Sequence, residues 1–208
     1  MWRAAARLLA LALAAALLAG CASVGPVVKI GLVAPFEGRD RAVGYDAIYA
    51  ARLAVREVNA RGGIDGTRVA LVALDDRGDP TLATQTAAAL VVDPGVVAVV
   101  GHYLPATTAA ATDIYAKAEM PLLVAGASPF AAADPAALPA DFVAAYEAVT
   151  PFDETPGPYA GPTYDAFGLL WAALAQAKES GGELSRASVQ QALRGLEYQG
   201  VTGTVYQP

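Results

Sequence analysis

Four short runs in the first 125 residues are apolar at almost every position: VKIGLVA at 28–34, RVALVAL at 68–74, VVAVV at 96–100 and PLLV at 121–124. A strand with one wet face alternates apolar and polar residues, whereas a strand covered on both faces has no reason to. Between these runs lie Ala-rich segments with helical spacing. Residues 45–59 place Ile48, Ala51, Val55 and Val58 on one side, and 81–92 and 106–118 follow the same rule. Apolar strands separated by helices predict an α/β fold, a doubly wound parallel sheet with helices on both faces. The punctuation agrees. Asp79-Pro80 has the form of an N-cap followed by proline at the first helical position, and RGGIDG at 61–66 sets glycine where a helix end calls for a left-handed residue.

The start of the chain has a separate logic. Arg3 and Arg7 precede an apolar run of about a dozen residues, shorter than the ~20 a membrane span needs, and Leu18-Ala19-Gly20-Cys21 closes it. This is the layout of a secretory signal peptide over 1–20. The Leu-Ala-Gly-Cys ending resembles the bacterial lipobox, which implies lipidation of Cys21, a tether over 21–27, and a protein held through its lipid anchor on the outer face of the cytoplasmic membrane, in the periplasm or at the cell surface. Cys21 is the single cysteine, so no disulfide can form within the chain.

Charge and motif content exclude several classes. Loss of Arg3 and Arg7 would leave 12 Lys and Arg against 20 Asp and Glu. An acidic chain lacks the basic face that phosphate neutralisation requires, so nucleic acid is not an expected partner. The chain has no CxxC, HExxH, GxSxG or phosphate-cradling glycine loop, and one histidine does not supply the usual ligand set of a catalytic zinc. No cofactor, metal or catalytic residue is expected, and an enzyme ranks last.

In sheets of this kind ligands bind beyond the carboxyl ends of the strands. Three such ends carry candidates: 34–38, 101–105 and 125–128. His102 directly follows a buried strand and is expected to be a structural hydrogen-bonding residue. Asp75 and Asp76 beside Arg77, Gly78 and Pro80 read as turn chemistry. Thr107 and Thr108 open a helix, where they either cap it or border free amides suited to an anionic group.

The run VVKIGLVAPFEGRDRAVGYDAIYAARLAVREVNARGGIDGTRVALVALDDRGDPTLATQTAAALV, followed by VVAVVGHYLPATTAAATDIYAKAEMPLLVAGAS, resembles the branched-chain amino acid type of periplasmic solute-binding protein, the type I receptors of ABC importers. The resemblance implies a Rossmann-like lobe, an amino acid or related small polar solute as ligand, and the ABC permease of an importer as partner. Carried onto this chain, it implies ligand contacts from Tyr103, Leu104, Thr107 and Thr108 in the loop after the third strand. Gly126, Ala127 and Ser128 follow the fourth, and Tyr159 lies in the later GPYAGPTYDA segment. Pro105 stands where many members carry a ligand-binding serine, and proline offers neither hydroxyl nor amide.

The later segment, 140–208, resembles the part of the family that returns to the first lobe, including a Val-Thr-Gly-Thr-Val strand at 201–205 that completes its sheet. The resemblance therefore divides lobe 1 into 28–128 and 140–208, joined by an Ala/Pro-rich connection at 129–139 where a second lobe of about 100–150 residues is missing. The chain also ends before the last crossing that members make. The expected function is an extracytoplasmic solute-binding lipoprotein, incomplete or weakly binding in this short form. The alternative is a one-lobed, surface-tethered interaction or scaffold module without a transport role.

Overall fold

The computed structural model describes residues 25–152 and 154–207. The signal, the lipobox and Cys21 lie outside the described residues. The parallel sheet is built from β1 (Val27–Ala34), β2 (Arg68–Asp75), β3 (Val96–Val100) and β4 (Leu122–Leu123), in the order β2-β1-β3-β4. β1 is central. It pairs with β2 from Val27↔Arg68 to Ala34↔Asp75 and with β3 from Lys29↔Val96 to Leu32↔Val100. Strands so enclosed must be apolar throughout, which is why all five residues of β3 are buried.

Helices α1 (Arg41–Ala60), α2 (Pro80–Val92) and α3 (Pro105–Lys117) connect these strands. α1 begins one turn before the position its apolar period marks, at Asp40, whose side chain makes no cap bond. α2 begins as its sequence predicts: the Asp79 carboxylate accepts from Thr81 N at 2.7 Å and Leu82 N at 3.0 Å, with Pro80 following. Hydrogen-bonding by those two amides lowers the pKa of Asp79.

The rest of the chain adds a 3₁₀ turn at Pro135–Ala137, α4 (Ala140–Glu147), α5 (Ala160–Glu179), α6 (Arg186–Leu193), and the short strands β5 (Tyr198–Gln199) and β6 (Val205–Tyr206). Ile30 and Leu32 of β1 face α1, α5 and α6 through Ala51, Phe167, Leu170, Leu174 and Val189. Val33 and Val99 face α2 and α3 through Ala87, Leu90, Ala111 and Tyr115. Both faces are covered, one of them largely by the C-terminal segment. Arg186 secures that segment to the amino edge of the sheet, donating to the carbonyls of Val91 at 2.8 Å and of Asp93 and Val96 at 3.1 Å. A guanidinium with several donors in a fixed plane suits such a cluster of chain-end carbonyls.

One expectation is corrected. The 201–205 stretch is not a strand of the main sheet. Residues 201–204 are the turn of an antiparallel hairpin, β5 with β6, which Val205 enters as the first residue of β6 and which forms a sheet of its own. The reason is Asp165 on α5, fully buried, whose carboxylate accepts from Val201 N at 2.7 Å, Thr202 N at 3.2 Å and the Thr202 hydroxyl at 2.6 Å. Those bonds hold the backbone in a turn, so it cannot extend along the sheet. α4 is held by its aromatic side chains: Phe142 and Tyr146 bury against Ala50, Leu53 and Ala160.

Candidate functional site

The carboxyl ends of β3 and β4 enclose a cleft of about 320 Å³. From the β3 side it is lined by Tyr103, Leu104, Pro105, Thr108 and Ala109, and from the β4 side by 124–127. The chain can make this approach because of two glycines. Gly101 has φ +138° and lies against the Val33 carbonyl, where a side chain would collide. Gly126 has φ +76°, and a Cβ there would run into the Tyr103 carbonyl, so the two loops could not close on each other.

Below the cleft the loops are pinned by buried polar groups. His102 is fully buried, with Nδ1 2.7 Å from Asp76 Oδ2 and Nε2 3.2 Å from the Tyr115 hydroxyl. The Asp75 carboxylate accepts from Phe36 N and Arg77 N, both at 2.8 Å, and the Asp76 carboxylate accepts from Gly78 N at 3.0 Å. These residues organise turns and hold loops together, as their sequence context predicts.

The eight residues that the resemblance assigns to ligand contact are not equivalent in space. Tyr103, Leu104, Thr108, Gly126 and Ala127 meet in the cleft. Thr107 is fully buried, and its hydroxyl donates to Leu104 O at 3.0 Å. Ser128 is exposed beyond the cleft lining. Tyr159 is half-buried and packs edge-on against Tyr103, ring centres 5.9 Å apart and planes at 83°. The Tyr103 hydroxyl, in turn, pairs with that of Thr163 at 2.8 Å, and burial pushes its pKa up.

The capping reading of the two threonines is overturned. Leu104 occupies the N-cap of α3 with no side-chain bond, and Thr108 Oγ1 donates to His102 O at 3.0 Å. Neither hydroxyl caps the helix amides. Pro105 removes one first-turn amide, which leaves those of Ala106 and Thr107 ahead of the first intrahelical bond, from Thr108 N to Leu104 O at 2.9 Å.

The lining therefore has one chemical character. No side chain in it is ionisable except the Tyr103 phenol, whose hydroxyl is already engaged, and the Thr108 hydroxyl is spent on a carbonyl. The surface is apolar, with main-chain groups at its edge. It can receive an apolar group, and it holds no nucleophile or base for covalent or proton-transfer chemistry. Among the described residues no cluster of His, Cys, Asp and Glu could hold a metal ion, and no helix is long and apolar enough to cross a membrane. Pro105, Ala109 and Val124 were not among the residues assigned to contact. Their signal was position alone, since each adjoins a strand end.

The sequence model of the family described as periplasmic binding protein matches residues 27–136, from β1 through the seam after β4. The chain belongs to the periplasmic binding protein family. Among curated relatives, an amino acid binding protein of Pseudomonas aeruginosa is 33% identical over 101 residues, which are 49% of this chain and 27% of that protein. The Leu/Ile/Val-binding protein of Escherichia coli K12 is 35% identical over 107 residues, 48% of this chain and 29% of that protein. The match thus spans less than a third of these relatives, and the same stretch is a far larger share of this chain, so the relatives are much longer. Both are named as binding proteins, not enzymes.

Solved structures share the fold across most of the chain. A putative branched-chain amino acid ABC transporter protein of Rhodospirillum rubrum superposes with a TM-score of 0.70 at 19% identity, covering 88% of this chain and 96% of that one. LivJ of Streptococcus pneumoniae, a substrate-binding protein in complex with isoleucine, gives 0.69 at 18% identity over 86% and 91%. A solute-binding protein of Rhodopseudomonas palustris in complex with 3,4-dihydroxybenzoic acid gives 0.69 at 15% identity over 85% and 87%. At these identities the likeness establishes the fold.

Proposed function

We propose that the chain is an extracytoplasmic solute-binding lipoprotein of an ABC importer, anchored through Cys21, whose cleft at the ends of β3 and β4 forms one jaw of a binding site for amino acids or related small solutes. The observation that carries this reading is the meeting of Tyr103, Leu104, Thr108, Gly126 and Ala127 in one cleft at the carboxyl edge of the sheet. The names of the relatives support the solute class. Residues 129–139 are the join at which a second jaw belongs, between lobe segments 28–128 and 140–208.

One jaw binds weakly. Ligand pockets bury about 70–90% of a small ligand's surface, and a single lobe leaves one face of it in water. A hydrogen bond contributes about 0.5–1.5 kcal/mol net, and micromolar affinity needs about 8 kcal/mol. The few polar groups at this cleft fall short of that, and Thr107, being buried, is not among them. Calorimetry of the purified protein against a panel of amino acids and small amides is expected to show millimolar binding or none. A micromolar dissociation constant at the cleft, abolished by Ala127→Arg, would show that the single lobe is a complete site.

A further inference from the structure

A second concavity lies away from the strand ends, in the groove between α1 and α5. It encloses about 220 Å³, below the roughly 300–1,000 Å³ of pockets for drug-sized ligands, so its occupant is small. Its floor exists because two facing positions are small: Ala54 on α1 and Gly168 on α5. Tyr198, from β5, lays its phenol over Gly168, where any side chain would strike it. Trp171, one helical turn beyond Gly168, completes an aromatic wall with Tyr164.

The polar groups of this groove are unevenly spent. Tyr164 donates its hydroxyl to Glu57 Oε2 at 2.5 Å, and the other carboxylate oxygen has no donor among the described residues. Arg61, one turn along α1 from Glu57, makes no ion pair among the described residues, although its charge reaches both phenols and opposes the upward shift that burial gives Tyr164 and Tyr198. Neither the Tyr198 hydroxyl nor the Trp171 indole N–H has a hydrogen-bond partner among the described residues, although their rings line the groove. Donors thus exceed acceptors, which calls for a ligand carboxylate. A simple anion would be repelled by Glu57, so the ligand must also bring a cationic donor to it. Glu57 and Arg61 lie one helical turn apart, which suits two charges carried close together, and the aromatic walls and Ala/Gly floor ask for an apolar body beside them.

We propose that the α1–α5 groove is a second small-molecule site that takes an apolar α-amino acid, its carboxylate on Arg61, its ammonium on Glu57 and its side chain against Trp171 and Tyr198. This site is independent of the cleft reading, because no residue is shared between them.

Trp2 and Trp171 are the two tryptophans of the chain, so in a Trp2→Phe background Trp171 is the sole indole reporter. Its emission is followed while L-leucine, 4-methylpentanoate and 3-methylbutylamine are titrated separately into the full chain. Leucine is expected to produce a saturable change. The acid and the amine, each lacking one charge, are expected to need at least about tenfold higher concentration, since a hydrogen bond to a charged group is worth about 1.5–3 kcal/mol and each 1.4 kcal/mol is a factor of ten. Arg61→Gln, at an exposed position that leaves the fold intact by circular dichroism, and Glu57→Gln should each weaken leucine by a similar factor. Ala127→Arg, in the cleft, should leave the midpoint unchanged. No saturable change with leucine, equal responses to all three compounds, or an unchanged midpoint in folded Arg61→Gln would each overturn the proposal. Loss of the signal in Ala127→Arg would assign it to the cleft instead.

Discussion

His102 at the end of β3 and Asp76 at the end of β2 form a fully buried contact, Nδ1 to Oδ2 at 2.7 Å, that ties together loops from strands lying on either side of β1. A carboxylate only accepts, so Nδ1 donates to Asp76, while Nε2 lies 3.2 Å from the Tyr115 hydroxyl. Removing one member leaves the other buried with an unmet bond. His102→Leu is expected to lower the stability of the folded chain by about 3 kcal/mol, read from urea unfolding. Adding Asp76→Leu should recover part of that loss, with a coupling of at least about 1 kcal/mol. Additive losses would mean that the pair does not hold the loops.

The hairpin predicts a second effect. Asp165 is fully buried and collects two amides and the hydroxyls of Thr202 and Tyr206, the latter at 2.9 Å. The Tyr206 phenol is pushed up to about 12, first by burial, with the Asp165 charge adding to the shift. Asp165→Ala would strand the amides of Val201 and Thr202 with no acceptor, at a cost of roughly 3 kcal/mol. Hydrogen exchange should find those two amides deprotected, while those of β3 remain slow.

How much of this was legible depends on the range of the interactions. β3 and α2 could be read residue by residue because their causes are local: an unbroken apolar run, and Asp79 followed by Pro80. The 201–205 stretch could not. Its Val-Thr-Gly-Thr-Val pattern has strand character, but its conformation is dictated by Asp165, 36 residues earlier in the chain. The cleft was legible as a place, since strand ends can be counted, but the orientation of side chains within it was not. Whether Thr107 faces a ligand or the core depends on the rotation of α3 about its axis, which Ala-rich spacing barely encodes.

The anchor is tested apart from the fold. Leu-Ala-Gly-Cys predicts acylation of Cys21. Cells fed a fatty-acid probe should label the protein, and Cys21→Ala should release it from the membrane fraction. Equal membrane retention of the variant would remove the case for a lipid anchor.

Asp46 gives a pH dependence of determinate sign. Its half-buried carboxylate accepts from Gly157 N and Tyr159 N, both at 3.2 Å, but desolvation is the larger influence and raises its pKa above 3.8. A raised carboxyl pKa means the folded state holds the proton longer than the unfolded chain does. The contribution to stability is therefore present below about 3.8 and is lost as pH rises through the folded value. Asp46→Asn cannot ionise, so wild type should lose stability relative to this variant as pH rises from about 3.8 toward neutrality. The two unfolding curves, compared at each pH, check the sign. A gap that widens in the wild type's favour would contradict it.

The connection at 129–139 makes the last prediction, which differs from what its composition suggests. An Ala/Pro-rich link between two halves of a lobe would be expected to lie loose, yet Phe130 is 3% exposed, stacks on Tyr206 with ring centres 4.6 Å apart, and bridges to Ala125. Ala133 N donates to Pro158 O at 2.9 Å. What remains unprotected is the exposed pair Ala131 and Ala132 and the residues around the 3₁₀ turn. Elastase, which cleaves after small residues, should therefore nick first at 131–137 and spare 96–124, because cleavage requires backbone that can leave its hydrogen bonds. Phe130→Ala removes the aromatic anchor, with an expected loss of about 3 kcal/mol. It should accelerate that nick more than it accelerates global unfolding, since it frees the join locally. Equal acceleration of both would mean that the connection has no independent opening and is integral to the core.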